Sequence, residues 1–576
     1  MIITTLNRTN EIAMRWREGE ERKENLVSFN DFSPYFFIEE ETREPSFLRV
    51  KLGHYSQPQR VEIKYESGDW VSLEGKKLKK VSWNPPLPEY NKVIRKNWDN
   101  TYEADVPFVY RYTVDKLTSI PEYNLKKWYW DMEWQQGGEY DGAITCIIKY
   151  DSYNKEYQTY VWYPDPPIST DAEGKEVSSY ENWESYVNCL WAGNKIRVFA
   201  NEKKMLEAFL EELTESDPDM LISWFGSKFD LPKLIERLLH NDLDPRKLSP
   251  YNEVKGIYFD DKEMKLKMTK KVNNYSPIEQ PVKGRILLNL DVAFERQWND
   301  SQRGTLPSLA LDYVAELLLD EKKLVSEKFP DKNEFFARAW LEDEETYLLY
   351  AKIDVELLVK LDNTNYITES IIALQRLLVA PFDACFYASN MGSIYFMRNA
   401  GWKAPTGKDG PKVTYEGAMI YDPSNEGTHG LHENVAAFDF AGLYPSITVA
   451  LNISWETKTN EETGFGINIL TPRDFSEETQ KDMRYYKTDK LGMLPKAVLE
   501  LKTLRNQYKK NMKEAETEDE YYKWYNNQMA VKRLMASFYG IIGYQGFSWA
   551  DIDMAASITA GARKAIRSAA FKVMEL

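Results

Sequence analysis

Cysteine and histidine are scarce in this chain, with 3 and 4 among 576 residues. Cys146, Cys189 and Cys385 lie far apart, which excludes a disulfide framework and a thiolate metal centre. No histidine is spaced from a cysteine as a zinc ligand would be; His429 and His432 fall in a glycine-rich turn region and read as solvated. Long apolar runs are absent too. The opening MIITTLNRTNEIAMRW has no hydrophobic core for a leader peptide, and no stretch could span a membrane, so a soluble, reducing, cytoplasmic setting is expected. Positive charge is in deficit: a net charge of −16 has the wrong sign for coating nucleic acid nonspecifically. That balance still allows local basic stripes and supplies carboxylates for hard cations. There are no sequence repeats and no low-complexity tracts.

A chain of this length exceeds one core, and roughly three to five domains are expected. Its 43% hydrophobic and 14% aromatic content suffices for several packed interiors. Residues 1–124 carry short alternating runs broken by Pro and Gly (PYFFIEEE, VPFVYRYTV) and read as β-rich. Strand-like and helical stretches alternate over 126–363, the pattern of an α/β domain. Residues 368–400 are helical, and the turn-rich KAPTGKDGPKVTYEGAMIYDP reads as a domain junction. A strand over ENVAAFDF, a turn at AGLYPS and a helix come next. Residues 495–540 are helical twice over with a break near KEAETEDE, an antiparallel helical hairpin. The expected fold class is multidomain α/β.

Four acidic side chains occupy informative positions. In WYWDMEW the strand period of two sets Asp131 and Glu133 on one face, opposite Trp130, Met132 and Trp134. Such a strand either has a wet side or offers two carboxylates, one pleat apart, to a shared divalent ion. Asp230 follows MLISWF and opens LPKLIERLL, as a helix N-cap with Pro232 in the first turn or as a further ligand. Asp354, in TYLLYAKIDVELLVK, shares a helical stripe with Tyr347, Tyr350, Leu357 and Leu358. A carboxylate on an apolar, aromatic face is costly unless a partner or metal compensates. Tyr350, one turn earlier, can orient a water.

In order, separation and residue type, DMEW, FGSKFD and YAKID resemble the three exonuclease motifs of family B DNA polymerases. SLALDYVAELLL resembles the family's segment between the last two. The resemblance implies an RNase H-like 3′→5′ exonuclease domain in which Asp131, Glu133, Asp230 and Asp354 bind two Mg²⁺ ions, Mn²⁺ being an alternative. One ion activates water and the other stabilises the leaving 3′ oxygen of single-stranded DNA. Phe225 stands where the family has an asparagine that helps hold the 3′ end. The segment 251–283, with its alternating KEMKLKMTK, reads as the family's exonuclease hairpin or as a plain surface hairpin.

AAFDFAGLYPSITVA resembles the family's motif A, DFxxLYPSI. Read locally it is a strand-end acid before a packed Tyr-Pro turn, or a metal ligand before a helix N-terminus suited to a triphosphate. On the resemblance Asp439 ligates the catalytic metals, Leu443 and Tyr444 bind the incoming nucleotide, and the Tyr444 ring excludes a 2′-hydroxyl. Lys502, Arg505, Lys509 and Lys513 recur at i, i+3, i+7 and i+11 as one basic stripe, commonly a solvated face. The returning helix carries AVKRLMASFYG, which resembles motif B, KxxxNSxYG, with Ala536 in place of its Asn. Lys532, Met535, Ala536 and Tyr539 share a face there. The resemblance assigns Arg505, Lys509 and Lys532 to the triphosphate, Lys532 to protonation of pyrophosphate, and Tyr539 to the nascent base pair. TYEGAMI resembles the junction that guides the template, and the short spacer between motifs A and B favours a nucleic-acid primer.

The resemblance, closest in style to viral and archaeal members, divides the chain into a β-rich N-terminal domain (1–125 and, with a connector, 366–408), an exonuclease domain (126–365), an incomplete ferredoxin-like palm (409–490 and 541–576) and helical-hairpin fingers (491–540). The family's third palm motif, a DTDS-like hairpin, has no counterpart before Leu576, nor has the thumb. A naturally split polymerase, completed in trans by a small subunit carrying both, is favoured over a truncated product, because the break follows a complete fingers hairpin. Expected partners are primer–template DNA, a single-stranded 3′ end, dNTPs, that subunit and, optionally, a sliding clamp, with no membrane; a viral source would mean host cytoplasm. Two rival readings are a stand-alone exonuclease with a non-polymerising palm and a noncatalytic DNA-binding or assembly subunit.

Overall fold

The computed structural model describes the chain apart from residues 53–56, 171–172, 191–192, 301–303, 408–413, 420–430, 432, 437, 463 and 576 and the side chains of Asp300 and Met574. His429 and His432, with much of the expected junction after residue 407, lie outside the described residues. Two compact units result: Met1–Ser28 with Ser119–Ile372 and Pro381–Phe386, and Phe29–Thr118 with Ala373–Ala380 and Tyr387–Leu576.

The first unit is built on a six-stranded mixed sheet. From one edge its strands are Asn194–Phe199, Glu156–Trp162, Ile144–Asp151, Lys127–Trp134, Met220–Ser223 and Ile286–Asn289. The three strands from Lys127 to Trp162 form an antiparallel meander. The parallel pairs need crossovers, and helix Tyr180–Leu190 lies in one and helix Asp230–His240 in another. MLIS and ILLN are buried throughout, as parallel strands covered on both faces should be. Helix Glu344–Asn365 packs on Lys127–Trp134 and Ile144–Asp151. Strand Lys127–Trp134 is consequently covered on most of both faces: Trp128, Trp130, Met132 and Glu133 are buried and Asp131 keeps partial solvent contact.

Ion pairs fix one end of this sheet. Asp219, fully buried, accepts the Lys126 amide and Arg17 Nε, each at 2.9 Å. Asp217 pairs with Arg15, Arg22 and Arg285 at 2.7, 3.0 and 2.9 Å. Arg15, Arg17 and Arg22 belong to the antiparallel sheet Ile2–Leu6, Glu11–Glu18, Glu21–Ser28, so charge recruits the first strands of the chain to this unit.

In the second unit an antiparallel sheet runs Tyr35–Glu39, Lys77–Asn84, Gln59–Val71, Phe47–Val50 over a core that includes Phe36, Val61, Val81 and Trp83. The β-rich start of the chain is thus two sheets, one in each unit. Helices Met493–Lys513 and Glu518–Ile542 form the expected hairpin. The Thr517 side chain caps the second helix by accepting the Glu520 amide at 3.2 Å, and acids at 518–520 complement its N-terminus. A small sheet, Lys458–Thr459, Met483–Tyr486, Phe465–Asn468, lies by helix Ile552–Met574. That helix buries Arg563, which donates to the carbonyls of Thr471, Glu416 and Ile469.

One expected element differs. No described residue in 433–440 is in a strand, and Val435 and Phe438 are 73% and 91% exposed. Alternation alone does not make a strand; ladder partners do, and no described strand pairs with this segment. No helix among the described residues is long and apolar enough to cross a membrane.

Candidate functional site

Strand Lys127–Trp134 and helix Glu344–Asn365 bring three expected acids together. One oxygen each from Asp131, Glu133 and Asp354 lies within 4.8 Å of the others. Among the described residues this is the one cluster of acid, His and Cys side chains close enough to share a metal. Pleating puts the first two on one face, and Asp354 reaches that face from the helix packed over it.

Asp230 stands just outside this trio as the first residue of its helix. It is not the N-cap; Phe229 holds that position, and no side chain caps the helix. Asp230 Oδ2 is buried with no hydrogen-bond partner, as is Asp354 Oδ1. The turn before Asp230 is folded tightly. A Cβ on Gly226 would sit 1.7 Å from Ser223 Oγ and 3.5 Å from Asp230 Oδ2, so the close approach requires glycine. The Phe225 amide donates to Asp291 Oδ1 at 3.1 Å and the Ser227 amide to Asn289 Oδ1 at 2.8 Å.

The acids strain against one another. Burial, then the charge of Asp354, pushes Asp131 up to about 7. Burial followed by Asp131 and Asp354 drives Glu133 well above the carboxylate range, and burial followed by Asp131 does the same to Asp230. Burial also raises Asp354, against the pull of Lys323. Lys323 Nζ is 2.5 Å from Asp354 Oδ2 and 3.4 Å from the Tyr350 hydroxyl. Burial works to neutralise this lysine, but Asp354 and Asp131 keep its pKa raised. Tyr350 packs against Phe335 and Phe336 with ring centroids 5.1 and 5.8 Å away. Crowded carboxylates, two orphaned oxygens and a single facing ammonium make a donor set that suits a hard divalent cation.

Lys323 and Asp291 escaped the sequence reading. Lys323 sits in DEKKLV, a charged run like any solvated loop. Asp291 follows an apolar strand, and nothing local announces its bond to the Phe225 amide.

The second unit gathers other expected residues. Helix Leu443–Ala450 begins after Gly442, whose φ of +67° suits glycine. The Tyr444 and Tyr539 rings are 4.3 Å apart, centroid to centroid, and the Tyr539 hydroxyl is 3.4 Å from that of Tyr415. Leu443 is half-buried beside Tyr444 in sequence. Arg505 Nε donates to Gln528 Oε1 at 3.2 Å across the helical hairpin. Arg505, then burial, then Lys513 and Lys532 pull Lys509 below the usual lysine range, so these cations lie near one another; Lys532 is exposed. Asp439 is exposed on the segment that was expected to be a strand, and it joins no described acid cluster.

Comparison with known proteins follows the same division. Residues 350–575 match the family model described as DNA polymerase family B, and residues 143–280 match DNA polymerase family B, exonuclease domain. Over 487 residues the chain is 25% identical to a DNA polymerase of Pyrococcus glycovorans, spanning 81% of this chain and 53% of that relative. It is 26% identical over 495 residues to one of Thermococcus gorgonarius, spanning 82% and 54%. DNA polymerase 2 of Aeropyrum pernix is 22% identical over 604 residues, 98% of this chain and 68% of that one. The chain therefore spans about half the length of the first two relatives. The solved family B DNA polymerase from the hyperthermophilic archaeon Pyrobaculum calidifontis shares the fold, with a TM-score of 0.69 and 17% identity, covering 100% of this chain and 71% of that one.

Proposed function

This chain is a homologue of the family B DNA polymerases, and on that footing we propose that its first unit is a 3′→5′ exonuclease acting on single-stranded DNA. The observation that carries the reading is the gathering of Asp131, Glu133 and Asp354, the last two buried, with the buried Asp230 at the cluster's edge. The mixed sheet, an antiparallel meander continued by parallel strands, supports an RNase H-like assignment for residues 126–365. The four acids would hold divalent cations, Mg²⁺ or Mn²⁺, whose chemistry when bound is to activate water and stabilise the leaving 3′ oxygen. Tyr350, held by Phe335 and Phe336, can orient the attacking water with its hydroxyl. Lys323 balances the acids' charge. The test is degradation of a labelled single strand with Mg²⁺: equal rates for the wild type and Asp131→Ala/Glu133→Ala would sink the reading.

For the second unit we propose the nucleotide seat of templated DNA synthesis. Its ferredoxin-like palm would be formed by residues 409–490 and 541–576 and its fingers by 491–540, with residues 1–125 and 366–408 as the N-terminal domain. Arg505, Lys509 and Lys532 would meet the triphosphate, Lys532 protonating the pyrophosphate. Leu443, Tyr444 and Tyr539 would bracket the sugar and base, and Asp439 would ligate metal. Two-metal transfer needs a second carboxylate beside Asp439, and no described acid clusters with it; a small polypeptide with a DTDS-like motif, added in trans, would provide one. Primer extension with and without that polypeptide is the test, and extension that stays at background with saturating partner removes the idea. The alternative, an exonuclease with a non-polymerising second unit, draws on one observation: Asp439 joins no described acid cluster.

A further inference from the structure

A helix ordinarily caps its own start, as Glu518–Ile542 does through Thr517, the residue just before it. Helix Met493–Lys513 does not, because Gly492 precedes it and offers no side chain. The first positions of a helix find no acceptor within it, and here a segment 40 residues earlier supplies what they need. The Gly492 amide donates to Asn452 Oδ1 at 2.8 Å, the Met493 amide to Glu456 Oε1, and the Leu494 amide to Ser454 Oγ at 3.2 Å. Pro495 has no N–H to place. The approach is close enough to require glycine: a Cβ on Gly492 would sit 2.4 Å from Ser454 Cβ. Asn452 and Ser454 are buried, and Glu456 is exposed. The acceptors are themselves braced. Ser454 Oγ donates to Glu456 Oε2 at 2.7 Å, and Asn452 Nδ2 to the Lys487 and Lys490 carbonyls at 2.7 and 2.8 Å. This segment directly follows helix Leu443–Ala450, which carries Tyr444. Along the helical hairpin, burial is confined to the base, and none of the described residues 502–525 is buried. The angle of its first helix is therefore set where these hydrogen bonds are made.

We propose that Asn452, Ser454 and Glu456 are positioning residues for the triphosphate: by holding the first turn of helix Met493–Lys513 they aim Arg505 and Lys509 at it. The proposal rests on the nucleotide-seat reading and names what orients its cations. Arg505 lies about 18 Å along the helix from Met493, at about 1.5 Å per residue, so a tilt of roughly 10° at the first turn moves it about 3 Å. A shift of that size breaks a phosphate hydrogen bond, whose heavy atoms must stay within roughly 3.2 Å. A carboxylate near an anionic ligand is a liability unless it has another task. Glu456 has one, since it meets the positive end of the helix dipole.

The test measures the affinity of the full chain for labelled dTTP and dTMP by equilibrium dialysis in Ca²⁺. The wild type should prefer the triphosphate. If charge alone mattered, removing an acid close to cations would tighten an anion; lost positioning has the opposite sign. Glu456→Ala should weaken dTTP about 10-fold, the loss of roughly one charge-assisted phosphate contact, and leave dTMP unchanged. Glu456→Gln keeps an acceptor oxygen for the Met493 amide and should restore dTTP binding. Ser454→Ala should weaken dTTP in the same direction. Glu456 is exposed, so its replacement leaves the core intact, and circular dichroism with thermal unfolding checks each variant. Folded Glu456→Ala that binds dTTP as well as the wild type or better overturns the positioning role while the nucleotide seat stands. So does a Gln variant as weak as the Ala variant. A wild type that binds dTTP no better than dTMP removes the seat, and the positioning role with it.

Discussion

Replacing Asp131 with asparagine should make the metal-free protein more stable while removing the proposed nuclease activity. The carboxyl is raised from 3.8 to about 7 in the folded chain, by burial first and Asp354 second. Unfolded, it ionises near its ordinary value. Between about pH 4 and pH 7, then, the folded state keeps a proton that the unfolded state has released, so stability falls as pH rises through that window and is level above it. A rise of about 3 pH units converts to ~4 kcal/mol at about 1.36 kcal/mol each. Asp131 keeps partial solvent contact and titrates jointly with its neighbours, so ~2 kcal/mol is the working figure. In a domain of this size that is about 4 °C in Tm. Asparagine keeps the shape of the side chain, loses the charge, and can be hydrated at this partly open position. Thermal unfolding in a chelator at mildly alkaline pH should therefore place Asp131→Asn above the wild type, with the gap closing on acidification. Saturating Mn²⁺ should reverse the order, since a ligand at about 100 times its Kd adds ~2.7 kcal/mol to a protein that binds it. The reasoning is refuted if the asparagine variant melts below the wild type in chelator, or if Mn²⁺ shifts both alike.

Lys323→Met removes the ammonium facing Asp354 at 2.5 Å; ~3–5 kcal/mol of stability should go in chelator, as for other broken buried pairs. Mn²⁺ should recover most of that loss, and a deficit that metal leaves untouched would contradict the account. Gly226→Ala drives a Cβ to 1.7 Å from Ser223 Oγ, so ~1–3 kcal/mol of overpacking and a fall in nuclease rate are expected as Asp230 is displaced. Gly401→Ala, where a Cβ meets nothing within 4 Å, is the control and should show neither effect in the same unfolding and nuclease assays. Tyr444→Ala opens space beside Tyr539, 4.3 Å away, and should weaken discrimination against ribonucleotides on the order of 10-fold in a completed primer-extension assay. An unchanged ratio of ribo- to deoxynucleotide incorporation would remove the ring from that role.

Legibility followed locality. Asp131 and Glu133 were readable because a strand has period two, and Asp354 because a helix stripe that is otherwise apolar makes one carboxylate conspicuous. The hairpin Ile257–Asp260 with Lys265–Met268 was signalled by the alternation of KEMKLKMTK. Asp230 was not resolvable between cap and ligand, because the sheet that buries its Oδ2 is assembled from segments far away in sequence. Lys323 was invisible for the same reason, since it lies 31 residues before its partner Asp354. The pairing of Arg17 with Asp219, 202 residues apart, has no local sign at all, yet it draws the first strands into the first unit. Residues 433–440 mark the opposite failure. Their alternation is the pattern of a strand, but a strand exists only with its neighbours.

That segment also separates the two proposed activities. The acids of the proposed nuclease site are held by a sheet and a packed helix, so their geometry exists before any ion arrives and little ordering need accompany binding. Asp439 is different, exposed on a stretch with no strand partner among the described residues. Ordering it must be supplied by whatever pairs with it, and that contribution should be measurable. If a small polypeptide adds a strand beside residues 433–440, their amide hydrogens should exchange more slowly in its presence, approaching the protection of core strands. The slowing should appear together with metal-dependent primer extension. Protection without extension would detach Asp439 from the chemistry, and extension without protection would show that strand pairing is not what readies this carboxylate.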